Sequence, residues 1–171
     1  MIERIKNFIF KKPENWAHLR EIARGLKISP ETARKSLVTL KRHGIVESRK
    51  EGNMTQFRAD LENEKYRREK MLHNLRAAYS SGIINFLHEF YKPQAIVLFG
   101  SYARGEDISS SDIDIGVITS SRKRPDLGAF ERKLARRVEL SLFTRKDVSE
   151  EFFANIINGI VLKGMIKNER I

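Results

Sequence analysis

Two aspartates, Asp112 and Asp114, stand two residues apart in the run DIDIGVI. Side chains two apart on a strand share a face, so this spacing sets two carboxylates side by side, with Ile113 and Ile115 turned the other way. Neighbouring carboxylates repel one another and are costly to hold unless a cation compensates. Hard oxygen donors at this separation suit Mg2+, which binds through one or two carboxylates together with substrate phosphates. Upstream, Gly100-Ser101 follows directly on the apolar run AIVLF at residues 95–99. A glycine at that point lets a phosphate approach the backbone, and the serine hydroxyl can donate to a phosphate oxygen. If residues 101–105 open a helix, its N-terminal N–H groups add further donors.

The stretch IVLFGSYARGEDISSSDIDIGVIT joins these pieces: an apolar strand, Gly-Ser, a polar loop, Asp-x-Asp and a second apolar strand. This arrangement resembles the polymerase-beta-type nucleotidyltransferase superfamily, in its minimal branch, over roughly residues 81–171. The resemblance implies two Mg2+ ions held by Asp112, Asp114 and a third carboxylate on the next strand. It implies a nucleoside triphosphate, ATP, bound at Gly100 and Ser101, with Arg104 as a phosphate contact or simply an exposed arginine. The third carboxylate is Glu139, in the run RVELSLF at residues 137–143. Many relatives carry Asp there, and Glu is one methylene longer. A charge inside an apolar strand is expensive without a partner, and a metal pair would be that partner. The alternative places Glu139 on an exposed strand face, paired with Arg136 or Arg137. Asp107 and Asp126 lie in loops and fit the pattern less well.

These residues need elements to hold them. Residues 95–99 and 112–118 read as buried strands, residues 137–143 as a third, and Ser149–Lys163 as a closing amphipathic helix. Before them, residues 61–91 read as a helical connector. Its first part, ENEKYRREK, is too polar to bury; Met71, Leu72, Leu75, Ala78 and Tyr79 then form an apolar stripe suited to a core or to a dimer seam. Ser80-Ser81-Gly82 breaks it, and Ile83, Ile84, Leu87 and Phe90 begin the C-terminal domain.

Residues 1–60 predict three short helices and a hairpin. Ile2, Ile5, Phe8 and Ile9 recur at helical spacing; Leu19, Ile22, Ala23 and Leu26 mark a second helix over 16–26. Ser29 caps a third, Pro30 suits its first position, and Gly44 closes it. Ala33, Leu37 and Leu40 form its buried face. Two extended runs, 45–49 and 55–59, flank a Gly-Asn turn. This order resembles the winged helix-turn-helix family, which implies duplex DNA as partner. Thr32, Arg34, Lys35, Ser36 and Thr39 map onto the exposed side of the third helix, and Arg49, Lys50 and Arg58 onto the wing. The same module could instead mediate protein contacts. The fold class is therefore α+β: a winged helix-turn-helix domain at 1–60, a helical connector at 61–80 and a small mixed-sheet nucleotidyltransferase domain at 81–171.

Charge supports a polyanionic partner. Residues 1–60 hold 14 Lys and Arg against 7 Asp and Glu, most of the chain's net +11. A Lys/Arg-rich solvated surface is the alternative. There is no cysteine, which excludes disulfides and cysteine-zinc sites. The four histidines, at 18, 43, 73 and 88, show no metal-ligand spacing. No apolar run approaches the length that spans a bilayer, and the N-terminus has no signal-peptide pattern, so no membrane contact and a cytoplasmic location are expected. Only 32 residues follow Glu139, so the acceptor pocket is expected from the connector, the winged domain or a second subunit, with a homodimer as the expected assembly. The family also implies a small helical partner protein, with the chain as an antitoxin that transfers AMP to it. The competing function is a DNA-binding regulator whose C-terminal domain senses nucleotide or dimerises.

Overall fold

The structure, a computed structural model, describes residues 1–166 and separates into two compact units that divide between Lys70 and Met71. In the first unit, α1 (Ile2–Lys11) buries Ile5, Ile9 and Phe10. The second helix is shorter than its periodicity predicts. Residues 17 and 18 form β1 (Ala17–His18), because Ala17 and His18 pair with Phe57 and Gln56, and α2 is confined to Leu19–Gly25. The next helix, α3 (Pro30–Arg42), starts as the sequence dictates. The Ser29 hydroxyl accepts from the Thr32 N–H at 3.1 Å, Pro30 takes the first turn, and Gly44 follows the helix at φ +70°. Its buried face is Ala33, Leu37 and Leu40, and it also includes Ser36. Ser36 therefore leaves the exposed face expected for it: it lies three residues on from Ala33 and one before Leu37, on the core side of the turn.

The hairpin pairs β2 (Val46–Glu51) with β3 (Met54–Ala59) through Gly52-Asn53, with Gly52 at φ +58°. The antiparallel sheet runs β1-β3-β2. Phe57 and Ala59 enter the core; Gln56 and Arg58 lie on the other face.

The connector expected over 61–80 is helical from Glu64 onward. One 18-residue helix, α4 (Glu64–Ser81), runs across the division between the units. Two residues of its polar first half are buried all the same: Tyr66 packs edge-on to Phe10, and Lys70, only 2 % exposed, donates to the Phe10 carbonyl at 3.0 Å. The lysine stem lies among apolar groups while its ammonium keeps a hydrogen bond, so burial does not strand the charge. Leu72 and Tyr79, expected on the apolar stripe, are exposed; Asn74, Ala78 and Ser81 are the buried side chains of the second half.

In the second unit, Gly82 at φ +86° ends that helix and starts α5 (Ile83–Tyr91), which buries Ile83, Ile84, Leu87 and Tyr91. There follow β4 (Ala95–Phe99), α6 (Gly100–Arg104), β5 (Ile113–Ile118), α7 (Gly128–Leu134), β6 (Val138–Phe143), a 3-10 turn at Arg145–Asp147, α8 (Glu150–Ile157) and β7 (Ile160–Gly164). The mixed sheet has the order β6-β5-β4-β7, with β5 and β6 parallel and the other pairs antiparallel. Ile96, Leu98, Ile113, Ile115 and Leu140 form one core with the helical residues Ile83, Ile84 and Leu87. On the opposite face, Ala95, Val97 and Phe143 pack with Ile156, and with Phe152 and Phe153 at the edge.

The single closing helix expected over Ser149–Lys163 is corrected. Ser149 does cap α8, accepting from the Phe152 N–H at 3.2 Å, but that helix stops at Ile157 and the chain returns as a strand beside β4. Asn158-Gly159 makes the turn, and a Cβ at Gly159 would run into the Leu98 carbonyl. Among the described residues, no helix is long and apolar enough to cross a membrane.

Candidate active site

The alternation in β5 separates its two faces cleanly. Ile113, Ile115 and Val117 are fully buried in one core, and Asp114 is left half-buried on the other side, with Asp112 just ahead of the strand. Pairing register supplies the neighbours: Asp114 lies opposite Phe99 on β4 and beside Glu139 on β6. Registered residues on adjacent strands point the same way, so Glu139 joins the face that holds Asp114. Its exposure departs from the burial argument made for it, because β6 is an edge strand. The pairing with Arg136 does not occur either; that guanidinium turns to Asp107 at 3.3 Å.

Electrostatics register the same grouping. Burial pushes the Asp114 carboxyl above the usual aspartate range, and repulsion from Asp112 and then Glu139 adds to it, while Arg104 pulls the other way. Arg104 is exposed and shared with Glu106 at 2.7 Å. Three hard oxygen donors of like charge, short of positive charge, are a donor set that fits a divalent cation such as Mg2+. In this conformation they share a face without converging: among the described residues, no three acidic or histidine side chains meet at one ligation point.

Gly100 is fixed by this site in a way the sequence did not suggest. It sits at φ +70°, and an added Cβ would collide with the Asp114 carboxylate. The glycine therefore gives room to the aspartate as well as to any phosphate. Ser101 follows in the first turn of α6, half-exposed. A groove of about 390 Å3 opens beside it, lined by Phe99, Gly100, Arg104, Phe152 and Asn155 among others. A larger cavity, about 530 Å3, lies at the other end of β4 and β5 around Gln94 and Thr119, away from the carboxylates. Chemistry, not size, marks the carboxylate face as the candidate site.

The residues assigned to DNA are arranged differently. Arg34 and Lys35 are exposed on α3, Arg34 held by Glu31 at 3.0 Å. Thr32 is bonded to Ser29, and the Thr39 hydroxyl donates to the Lys35 carbonyl. In the hairpin, Lys50 is exposed, but Arg49 and Arg58 stack over Trp16 at 4.3 and 4.6 Å. Arg49 also donates to Gln56 and Arg58 to Glu47.

Comparison with known proteins agrees with the C-terminal geometry. Residues 81–167 match the family described as Polymerase beta, Nucleotidyltransferase. A protein of Methanocaldococcus jannaschii named "Putative protein adenylyltransferase" is 36 % identical over 73 residues, covering 39 % of this chain and 71 % of that relative. With the strand, Gly-Ser turn and paired aspartates in register with a third carboxylate, the chain belongs to the polymerase-beta-type nucleotidyltransferase family.

Proposed function

We propose that this chain transfers AMP from ATP to a hydroxyl group of a protein. The observation that carries this reading is the placement of Asp112, Asp114 and Glu139 on one face beside Gly100, with Asp114 pushed up by burial and then by its like-charged neighbours. The name of the M. jannaschii relative favours AMP as the group and a protein as the acceptor; a small-molecule hydroxyl is the other acceptor class. Asp112, Asp114 and Glu139 would hold Mg2+, which supplies Lewis acidity at the α-phosphate and lowers the pKa of the acceptor hydroxyl. Ser101 and the N–H groups around it hold the triphosphate, and Arg104 reaches a phosphate oxygen. The acceptor oxygen bonds to the α-phosphorus as the bond to pyrophosphate breaks, and the hydroxyl proton leaves to solvent.

The acceptor side is supplied by a small helical partner or by a second copy of the chain, and an antitoxin acting on its own toxin is the biological setting that fits. The experiment is incubation of the full chain with α-labelled ATP and Mg2+ together with candidate partner proteins. Mg2+-dependent label on a partner is expected. Neither transfer nor Mg2+-dependent ATP binding, with the partner present, would sink the reading.

A second role is carried by the N-terminal unit, as a winged helix-turn-helix domain that binds duplex DNA. Its support is the basic excess of residues 1–60 and the exposed Arg34 and Lys35 on the Ser29-capped helix. Duplex binding that weakens steeply with salt is its signature, and no binding at low salt would remove it. In that role the C-terminal unit would serve as a nucleotide sensor even without transfer.

A further inference from the structure

Asp107 is fully buried, 0 % exposed, in a loop whose neighbours Glu106, Ile108, Ser109 and Ser110 all face solvent. A carboxylate in that position is costly unless its oxygens are paired. One oxygen accepts from the Asn74 amide at 2.6 Å, and the other meets the Arg136 guanidinium, itself nearly buried, at 3.3 Å. Both partners bind more than the aspartate. Asn74 also donates to the Tyr102 carbonyl at 2.9 Å; Arg136 donates to the Ser111 carbonyl at 3.2 Å and to that of Ile108.

The places these bonds reach are not random. Tyr102 follows Ser101, Ser111 precedes Asp112, and Arg136 stands three residues before Glu139. The backbone adds a bond in the same place, from the Ile113 N–H to the Arg137 carbonyl at 2.9 Å. Each of the three segments that bear candidate site residues is thus held by one network centred on the buried Asp107. Burial, then repulsion from Asp107, pushes the Tyr102 hydroxyl up to about 12, against the pull of Arg136. A buried ion pair is a poor source of stability compared with apolar packing, whereas it is well suited to fixing one geometry.

We infer that Asn74, Asp107 and Arg136 are positioning residues that fix Ser101, Asp112 and Glu139 relative to one another, so that phosphate and metal are bound together. This rests on the proposed transfer site. The network touches neither ligand; it makes their binding interdependent.

The test measures ATP affinity by calorimetry with and without Mg2+ on the full chain, the ratio being the coupling between metal and nucleotide. Asp107→Asn keeps the shape and removes the charge. Arg136→Lys keeps the charge and loses the planar fork that spans two carbonyls. Asn74→Ala frees the Tyr102 carbonyl and serves if either of the others fails to fold. Each folded variant is expected to lose about 10- to 100-fold in coupling, the scale seen when outer partners of metal ligands are removed. Leu87→Val, a core change remote from this network, is the control: it should lower the melting temperature and leave the coupling as in the parent chain. Parent-like coupling in the network variants, or an equal loss in the Leu87 control, overturns the inference. If the parent chain shows no Mg2+-dependent ATP binding, the proposed activity fails and this inference with it.

Discussion

The outer face of the N-terminal sheet and the carboxylate face of the C-terminal sheet are both crowded with charge, and they solve that crowding in opposite ways. On the first, Arg58 meets Glu47 at 2.6 Å, Gln56 bridges Arg49 and Glu51, and both arginines lie on Trp16. Every charge there has an opposite or an amide against it. On the second, three acids stand together against Arg104, which Glu106 already engages. The first face is neutralised from within, whereas the second is left short of positive charge. The contrast separates structural polar surface from chemical surface without reference to cavity size.

The sharpest way to break the contrast is to neutralise the second face. Asp114→Asn is expected to reduce transfer by about 10³-fold or more, as metal and transition-state stabilisation are lost together. It should also raise thermal stability at neutral pH, and the sign follows from the raised carboxyl. The unfolded aspartate ionises in its ordinary range, below the folded one. The stabilising preference of the fold for the protonated acid is present below that range and is lost as pH rises through the folded value. Melting curves of parent and variant should converge in acid and separate above the window; separation at low pH would contradict the assignment. A smaller effect is the response to Mg2+. At a hundredfold excess over its dissociation constant the ion should stabilise the parent chain by about 2.7 kcal/mol, and the Asp114→Asn chain by far less. Equal shifts in the two would mean the carboxylates do not hold the ion. The smallest effect belongs to the first face. Arg58→Ala should cost about 1 kcal/mol in denaturant unfolding, because the ion pair is partly exposed and one stacking contact is lost. It should leave ATP affinity unchanged; a change there would mean the faces are not independent.

The parts of the site written in local alternation were legible. Asp112, Asp114, the preceding strand and the Gly-Ser turn follow from residue spacing alone, and β5 and β4 stand where that spacing put them. Glu139 was found by resemblance, while the physical reason given for it was mistaken, since nothing in the sequence says that β6 lies at a sheet edge. The interior of α4 was illegible for a related reason. Lys70 read as too polar to bury and Asn74 drew no reading, because the groups that satisfy them, the Phe10 carbonyl and Asp107, lie 60 and 33 residues away. The end of α8 was available and was missed: Asn158-Gly159 is a stop signal, and the residues after it are a strand. Arg136 gave no signal at all, since its choice of Asp107 over Glu139 depends on where the polar loop folds back.

The contact between Gly100 and the Asp114 carboxylate carries a consequence for descent. The two positions are not free to change in either order. While Asp114 remains, a side chain at position 100 has nowhere to go; once it is lost, only the backbone conformation still discourages one, and Asn or Asp could settle there. In a descendant that kept the fold but abandoned the chemistry, residue 100 would therefore change only after Asp114 had gone, and a side chain there would record that the acid beside it is no longer in use.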